Sequence, residues 1–275
     1  EIPLRLVGSE MCIRDRFFYW CFGNDWVSIG IFTACIIFPV SILLDGSLTK
    51  IERDRIFVIY IIAFFVIFFW AAYEQAGASL TLFAAEQTDR TIFGWEMPAS
   101  WIQSFNPFFV VILAAIMPSV WGALNKRGME PASPTKQAIG LLLLSLGYLV
   151  ICFGVKDVQP GVKVSLIWLT GLYFIHTMGE IALSPIGLSM VNKLTPVRFA
   201  SLMMGIWYLS TSTANKFAGT LGGLYPEDGK VKTLLGFRIE TMFDFFMVFV
   251  IMSGVASLIL FLLSKKLQKM MHGVE

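Results

Sequence analysis

Two acidic side chains lie inside long apolar stretches, where an ionised group is costly. Glu74 follows 17 uncharged residues in the segment FFWAAYEQAGASL, and Glu180 lies in the segment HTMGEIALSPIGLSM. An ionisable side chain at membrane depth costs a few kcal/mol, so such residues usually face a cavity and have a function there. The polar segment AEQTDR, which follows Glu74 along the chain, leaves a second interpretation of Glu74 as part of a solvated helix end.

The neighbours of Glu74 have a helical spacing. Trp70 lies four residues before Glu74, and Gly77 and Thr81 continue the same face if the segment is one helix. The spacing therefore predicts one continuous stripe on this helix.

A second stripe surrounds Glu180. His176, Glu180 and Ser184 follow one another at intervals of four residues, and Pro185 and Gly187 make this helix easier to bend. The spacing of His176 and Glu180 would suit a metal ion, but a zinc site needs at least a third protein ligand and none is nearby. We therefore predict a packed or cavity-lining histidine and no metal site.

Asn106 and Trp207 are the informative side chains in two other apolar stretches. Asn106 precedes Pro107 in WIQSFNPFF, and because proline has no N–H we expect the helix to open locally beside the Asn106 amide. A hydrogen bond between helices is an equally good interpretation of Asn106. Trp207 precedes Thr211 by one turn and lies about two turns from the nearest polar edge, which favours a cavity wall over an interfacial aromatic belt.

The elements that position these residues follow from composition. The chain is 56% hydrophobic and 15% charged, and its mean hydropathy is +0.72, which is typical of a membrane protein. Uncharged runs occur at 26–44, 57–73, 97–125, 137–155, 164–179, 199–215 and 245–264. A helix needs about 20 residues to cross a bilayer, and the period-two alternation of barrel strands is missing from this sequence. The sequence predicts an all-α polytopic membrane protein.

The basic residues in the connections predict how the helices are oriented in the membrane. Taken alternately, the connections carry 11 basic residues in one set (Lys50, Arg53, Arg55, Lys126, Arg127, Lys136, Lys193, Arg198, Lys265, Lys266 and Lys269) and six in the other (Arg90, Lys156, Lys163, Lys230, Lys232 and Arg238). The positive-inside rule places the richer set, and with it the C-terminus, in the cytoplasm. The net charge of +2 reflects this bias and gives no indication of a nucleic-acid partner.

The spacing of Cys12, Cys21, Cys35 and Cys152 suggests reduced thiols.

The first 16 residues, EIPLRLVGSEMCIRDR, do not match the rest. They have too few apolar residues for a signal peptide and join abruptly to FFYWCFG. The segment resembles a translated library adapter, so we expect residues 1–16 to be non-native; a genuine polar loop is the alternative.

Four segments together resemble a known family. FFWAAYEQAGASLTLFAAEQTDR, SFNPFF, HTMGEIALSPIGLSMVNKLTP and RFASLMMGIWYLST are similar to the C-terminal half of proton-dependent oligopeptide transporters, a branch of the major facilitator superfamily. The resemblance covers about residues 50–265. It implies a C-terminal six-helix bundle over 50–275 and a lateral linker and helix between the two halves over 17–49. It also implies that the N-terminal six-helix half, with its ExxERFxYY segment and its basic residues for the peptide carboxylate, is missing from this chain.

The resemblance also implies roles for individual residues. Glu74 matches the carboxylate of proton coupling, and the positions that match the peptide site are Trp70, Asn106, Glu180, Ser184 and Trp207. Glu180 would hold the amino terminus of the peptide. The implied activity is symport of di- and tripeptides with protons across the inner membrane of a bacterium, with no cofactor besides the coupling protons.

Two other functions compete with this interpretation. A carrier for nitrate or another anion is disfavoured, because a deep acid such as Glu180 repels an anion and suits an ammonium group; a carrier for amino acids is a further alternative. An intramembrane enzyme would use Glu74 and Glu180 as a carboxylate pair or His176 as a base. The sequence has no nucleophile elbow, paired-aspartate motif or complete metal-ligand set to support an enzyme.

Overall fold

The computed structural model describes residues 26–156, 158, 162–226, 231–234 and 236–274. The α-helices within this part are α1 (Trp26–Leu43), α2 (Lys50–Tyr73), α3 (Ser79–Glu86), α4 (Phe105–Lys126), α5 (Ser133–Val155), α6 (Leu166–Leu194), α7 (Ala200–Gly222) and α8 (Met242–Met270). Turns of 3₁₀ helix cover Glu74–Gly77, Ala99–Ser104 and Val197–Phe199. Residues 1–16, which we expect to be non-native, lie outside the described part.

Short strands connect the helices. They are β1 (Thr88–Asp89), β2 (Thr91–Ile92), β3 (Trp95–Glu96), β4 (Val164–Ser165), β5 (Lys232–Leu234) and β6 (Phe237–Ile239). β1 pairs in parallel with β4, whereas β2–β3 and β5–β6 are antiparallel hairpins. These strands lie in the connections and leave the all-α class of the membrane domain unchanged.

Six helical segments in the described part are long and apolar enough to cross a membrane, namely Trp26–Leu43, Lys50–Glu86, Ala99–Lys126, Ser133–Val155, Leu166–Leu194 and Met242–Met270. The helix α7 has 23 residues but is less apolar, because its second half contains the polar segment STSTANK. The helix α7 packs along α2 and also contacts α1. Ser210 and Thr213 of the polar segment are buried, whereas Ser212, Asn215 and Lys216 are exposed. These features confirm the all-α polytopic fold.

The core of the bundle forms where α5 packs against α6 and α8. Gly140 of α5 and Gly179 of α6 face each other, and a Cβ built on Gly179 would lie only 2.9 Å from the Gly140 carbonyl oxygen. Such small residues let membrane helices approach closely, where van der Waals packing holds them together. The fully buried Tyr148 stacks on Phe249 of α8 with ring centroids 4.8 Å apart.

Polar contacts at one end of the bundle join three regions of the chain. Arg198 pairs with Glu52 at 3.2 Å, and His272 contacts Asp54 at 2.9 Å. The start of α2, the α6–α7 connection and the end of α8 therefore meet on one side. The strand β1 pairs with β4, so the connection that contains Arg90 lies beside the connection that contains Lys163. Both belong to the smaller set of basic residues, which the sequence assigns to one side of the membrane. Which end faces the cytoplasm stays a prediction.

The helix α1 lies beside this core rather than inside it. It contacts mainly α7, and the Cys35 thiol lies 3.0 Å from the Thr213 hydroxyl oxygen. Most of its remaining surface is exposed, including Ile36 and Phe38. The arrangement is that of a peripheral helix. Cys12 and Cys21 lie outside the described residues.

Candidate functional site

The helix that carries Glu74 is interrupted at that residue. α2 ends at Tyr73, Glu74–Gly77 forms a 3₁₀ turn, and Ala78 has φ −122° and ψ −101° before α3 begins at Ser79. The predicted continuous stripe from Trp70 to Thr81 is therefore wrong, because the helical phase changes at Glu74.

Side chains add hydrogen bonds to backbone carbonyls around this interruption. The Gln75 amide donates to the Ala71 carbonyl at 3.2 Å and to the Ala218 carbonyl of α7 at 2.9 Å. The Tyr148 hydroxyl of α5 donates to the Ala72 carbonyl at 2.6 Å. Because lipid supplies no hydrogen bonds, irregular backbone at membrane depth needs such partners. The break is thus held by contacts from two other helices.

Three side chains from three helices meet beside the break. The Tyr73 hydroxyl of α2 donates to Glu180 Oε2 of α6 at 2.5 Å, and the Asn106 amide of α4 donates to the same Oε2 at 2.9 Å. Asn106 also donates to the Tyr73 hydroxyl. Hydrogen bonds to a carboxylate are among the stronger ones in proteins. This Tyr73–Asn106–Glu180 cluster fixes the half-buried carboxylate of Glu180 in one position.

Asn106 reaches this cluster from the start of a helix. It is the second residue of α4, so Pro107 lies in the first turn, where a missing N–H breaks no helical hydrogen bond. The predicted opening of the helix by Pro107 is therefore wrong, and the change in backbone instead occurs where the 3₁₀ turn ends at Ser104. The structure supports both roles considered for Asn106. Its amide donates a hydrogen bond to Glu180 of another helix, and the residue also lines a cavity.

A cavity of about 230 Å³ lies next to the cluster. Glu74 is exposed at this cavity, and the Tyr173 ring closes it on the side of α6. Tyr173 is only 3% exposed, and its hydroxyl has no hydrogen-bond partner among the described residues. The full lining consists of Tyr73, Glu74, Ala76, Gly77, Gln103, Asn106, Pro107, Tyr173 and His176. Two acids, two amides and two phenols thus surround or adjoin one small polar space.

His176 is a packed residue at the inner wall of this cavity. Its Nε2 lies 3.1 Å from the Leu144 carbonyl oxygen, and its ring centroid is 4.7 Å from that of Tyr148. Gly147 leaves the room for this ring, because a Cβ there would lie 2.3 Å from His176 Cδ2. The described residues contain no group of three or more His, Cys, Asp or Glu side chains that could hold a metal ion.

The remaining predicted site residues lie outside the cavity lining. Trp70 packs edge-on against Tyr73 with ring centroids 5.3 Å apart. Ser184 is half-buried one turn beyond Glu180. Trp207 is 5% exposed and presses on Gly187, where a Cβ would lie 2.5 Å from its ring. Their roles in substrate binding stay predictions.

Two tyrosines of the site had no role in the sequence-based predictions. Tyr73 precedes Glu74 directly, and Tyr173 lies two turns before Glu180 in α6. Both have the appearance of ordinary aromatic residues in apolar helices. The one available signal was that a hydroxyl beside a deep acid is a natural donor to it.

Comparison with known proteins places this chain in a family. The model of the POT family matches residues 31–235. The chain belongs to the POT family. It is 37% identical over 185 residues to the peptide transporter YePEPT of Yersinia enterocolitica, covering 66% of this chain and 36% of that protein. It is 30% identical over 218 residues to dipeptide and tripeptide permease A of Escherichia coli, covering 79% and 43% respectively. These relatives are transporters and not enzymes.

Solved structures agree with this assignment. The crystal structure of a mutant of a POT peptide transporter in complex with alafosfalin superposes with a TM-score of 0.80 and 28% identity. The match covers 98% of this chain and 53% of that transporter. This POT-family chain thus spans about half the length of the relatives that it matches, and its fold is that of a half-transporter.

Proposed function

We propose that this chain is the C-terminal half of a symporter that moves di- and tripeptides together with protons across the bacterial cytoplasmic membrane. The observation that carries the proposal is the Glu180 carboxylate, which Tyr73 and Asn106 hold by one oxygen beside a polar cavity. The names of the relatives, which are peptide transporters and a di- and tripeptide permease, support the substrate class.

The chemistry of Glu180 suits the free amino terminus of a peptide. Its two donors among the described residues both meet Oε2, so Oε1 can accept from a third donor. An ammonium group would make a charge-assisted hydrogen bond there, typically stronger than a neutral one. Glu74 is a second acid, and it lines the cavity beside which Glu180 lies. Two acids repel nitrate and other anions, so the charge of the site favours a cationic group over an anionic substrate.

The exposure of the Glu74 side chain supports the presence of an N-terminal half in the complete transporter. Its side chain is exposed in this chain, although the flanking Tyr73 is half-buried and Gln75 is fully buried. A carboxylate exposed to lipid would be costly, so a cation or polar surface of an N-terminal half should cover it. Substrate would then bind between the halves near the middle of the membrane, as is usual in such carriers.

The remaining roles follow the same assignment. Glu74 takes up and releases the coupling proton, Asn106 and Glu180 bind the amino terminus, and Trp70, Ser184 and Trp207 contribute to the peptide site. The end that carries Arg198 and the C-terminus faces the cytoplasm. No cofactor besides the proton is needed for this activity.

The proposal is tested with a complete transporter that carries this half, reconstituted in liposomes. An inward proton gradient should drive accumulation of a labelled dipeptide, and mass spectrometry should recover the dipeptide intact from the lumen. Excess unlabelled dipeptide should compete, whereas nitrate and single amino acids should not. Hydrolysed product would indicate an enzyme, and competition by nitrate or by amino acids alone would indicate another carrier.

A further inference from the structure

We infer that Tyr73 is a positioning residue that orients Glu180 for the peptide ammonium and links that site to the segment carrying Glu74. The inference rests on the proposed function, to which it adds a residue that acts through another side chain. Its basis is the hydroxyl of Tyr73, which lies between the amide of Asn106 and the carboxylate of Glu180.

The hydroxyl uses both of its hydrogen-bonding capacities within the cluster. It accepts from Asn106 and donates to Glu180 Oε2 at 2.5 Å. A carboxylate offers about four acceptor positions on its two oxygens. Because the described donors occupy only Oε2, an ammonium group can approach Oε1 without displacing Tyr73. The phenol therefore holds the carboxylate in place and does not compete with the ligand.

The ring of Tyr73 is itself held in place. It stacks on Phe69 with centroids 5.5 Å apart and an interplanar angle of 18°, and Trp70 packs against its edge. A tyrosine has only two side-chain torsions, so this packing leaves the hydroxyl little freedom. Glu180 thus receives a donor whose position is already set before substrate binds.

Tyr73 is also the last residue of α2, directly before the 3₁₀ turn that begins at Glu74. A change in backbone geometry at Glu74 would therefore act directly on Tyr73 and, through its hydroxyl, on the hydrogen bond to Glu180. Binding of an ammonium at Glu180 and the state of Glu74 are then coupled through one hydrogen bond. Such a coupling acts equally in both directions, because it is a free energy shared by the two sites.

The test uses Tyr73→Phe in the complete transporter, which keeps the packed ring and removes only the hydroxyl. We expect the affinity for a free dipeptide to fall roughly tenfold or more, as is typical when a hydrogen bond to a charged group is lost. The affinity for the same dipeptide with an acetylated amino terminus should change little. Incorporation at position 73 of a tyrosine fluorinated beside the hydroxyl, which keeps the ring and the donor, should retain the affinity.

Two controls separate positioning from a general structural effect. Tyr60→Phe alters the same helix, but among the described residues the Tyr60 hydroxyl donates only to the sulfur of Met203, at 3.5 Å, so this variant should leave the affinity unchanged. In a Glu180→Gln background, Tyr73→Phe should cause little further loss, because the residue acts through Glu180.

The outcomes are distinguishable. Unchanged affinity in Tyr73→Phe, equal losses for free and acetylated dipeptide, or a full additional loss in the Glu180→Gln background would each overturn the role of Tyr73. Failure of the unmodified transporter to bind any dipeptide would instead contradict the proposed function.

Discussion

Gly179→Ala should destabilise the bundle, because this residue lies where α6 meets the backbone of α5. The added Cβ would lie 2.9 Å from the Gly140 carbonyl oxygen and 3.3 Å from Leu143 Cβ. The first distance is about half an ångström shorter than ordinary van der Waals contact. A carbonyl within a helix cannot rotate away, so the two helices must separate. Overpacking of this kind costs about 1–3 kcal/mol.

Gly171→Ala is the matched control on the same helix. A Cβ at Gly171 would meet only Val150 Cγ1, at an ordinary 3.4 Å. Both variants gain the same helix propensity, roughly 1 kcal/mol, so the difference between them isolates the overpacking at Gly179. Each kcal/mol corresponds to roughly 2–4 °C in Tm for a domain of this size.

The assay is thermal unfolding of the two variants in the same detergent, followed by tryptophan fluorescence. Gly179→Ala should melt several degrees below Gly171→Ala. Because Glu180 is the next residue, Gly179→Ala should also weaken dipeptide binding, whereas Gly171→Ala should not. Equal melting temperatures for the two variants would refute the close α5–α6 contact as the determinant of stability here.

Two further predictions concern single polar groups. Glu180→Gln in the complete transporter should lower the affinity for free dipeptides by about 1.5–3 kcal/mol, the usual value of a hydrogen bond to a charged group, and should affect acetylated dipeptides much less; equal proportional losses in a binding titration would assign Glu180 a purely structural role. Tyr148→Phe should cost about 0.5–1.5 kcal/mol of stability, since it removes the hydrogen bond from the Tyr148 hydroxyl to the buried Ala72 carbonyl. Tyr173→Phe should be neutral or stabilising, because the Tyr173 hydroxyl has no partner among the described residues. A melting temperature for Tyr173→Phe as low as that for Tyr148→Phe would contradict this difference.

The membrane helices could be predicted from sequence because each contains a long run of residues without charge. Runs without charge located every long helix of the described part, but the predicted run ended too early where a helix contains an acidic residue. The run 164–179 stops before Glu180, while α6 continues to Leu194. The length of a membrane helix depends on the whole segment, including polar residues that face the protein interior.

The geometry of the site could be predicted only in part. Asn106 and Glu180 were identified individually because an amide and an acid are unusual in apolar segments. The interruption at Glu74 was missed, since it depends on contacts that are distant in sequence, such as Tyr148 to Ala72 and Gln75 to Ala218. Tyr73 was missed for a related reason: a tyrosine in an apolar helix gives no sign of which partner its hydroxyl will find.

The central claim, that Glu74 couples proton movement to peptide transport, is tested most directly by Glu74→Gln in the complete transporter. A carboxylate at membrane depth is costly when ionised and much less so when protonated, which suits a group that alternates between the two states. Protonation would release a cation of the missing half and let the halves close around the peptide. We predict that Glu74→Gln liposomes fail to accumulate dipeptide under a proton gradient, yet still exchange labelled for unlabelled dipeptide between equal pools. Retained uphill accumulation would contradict the coupling role and leave Glu74 as a structural residue.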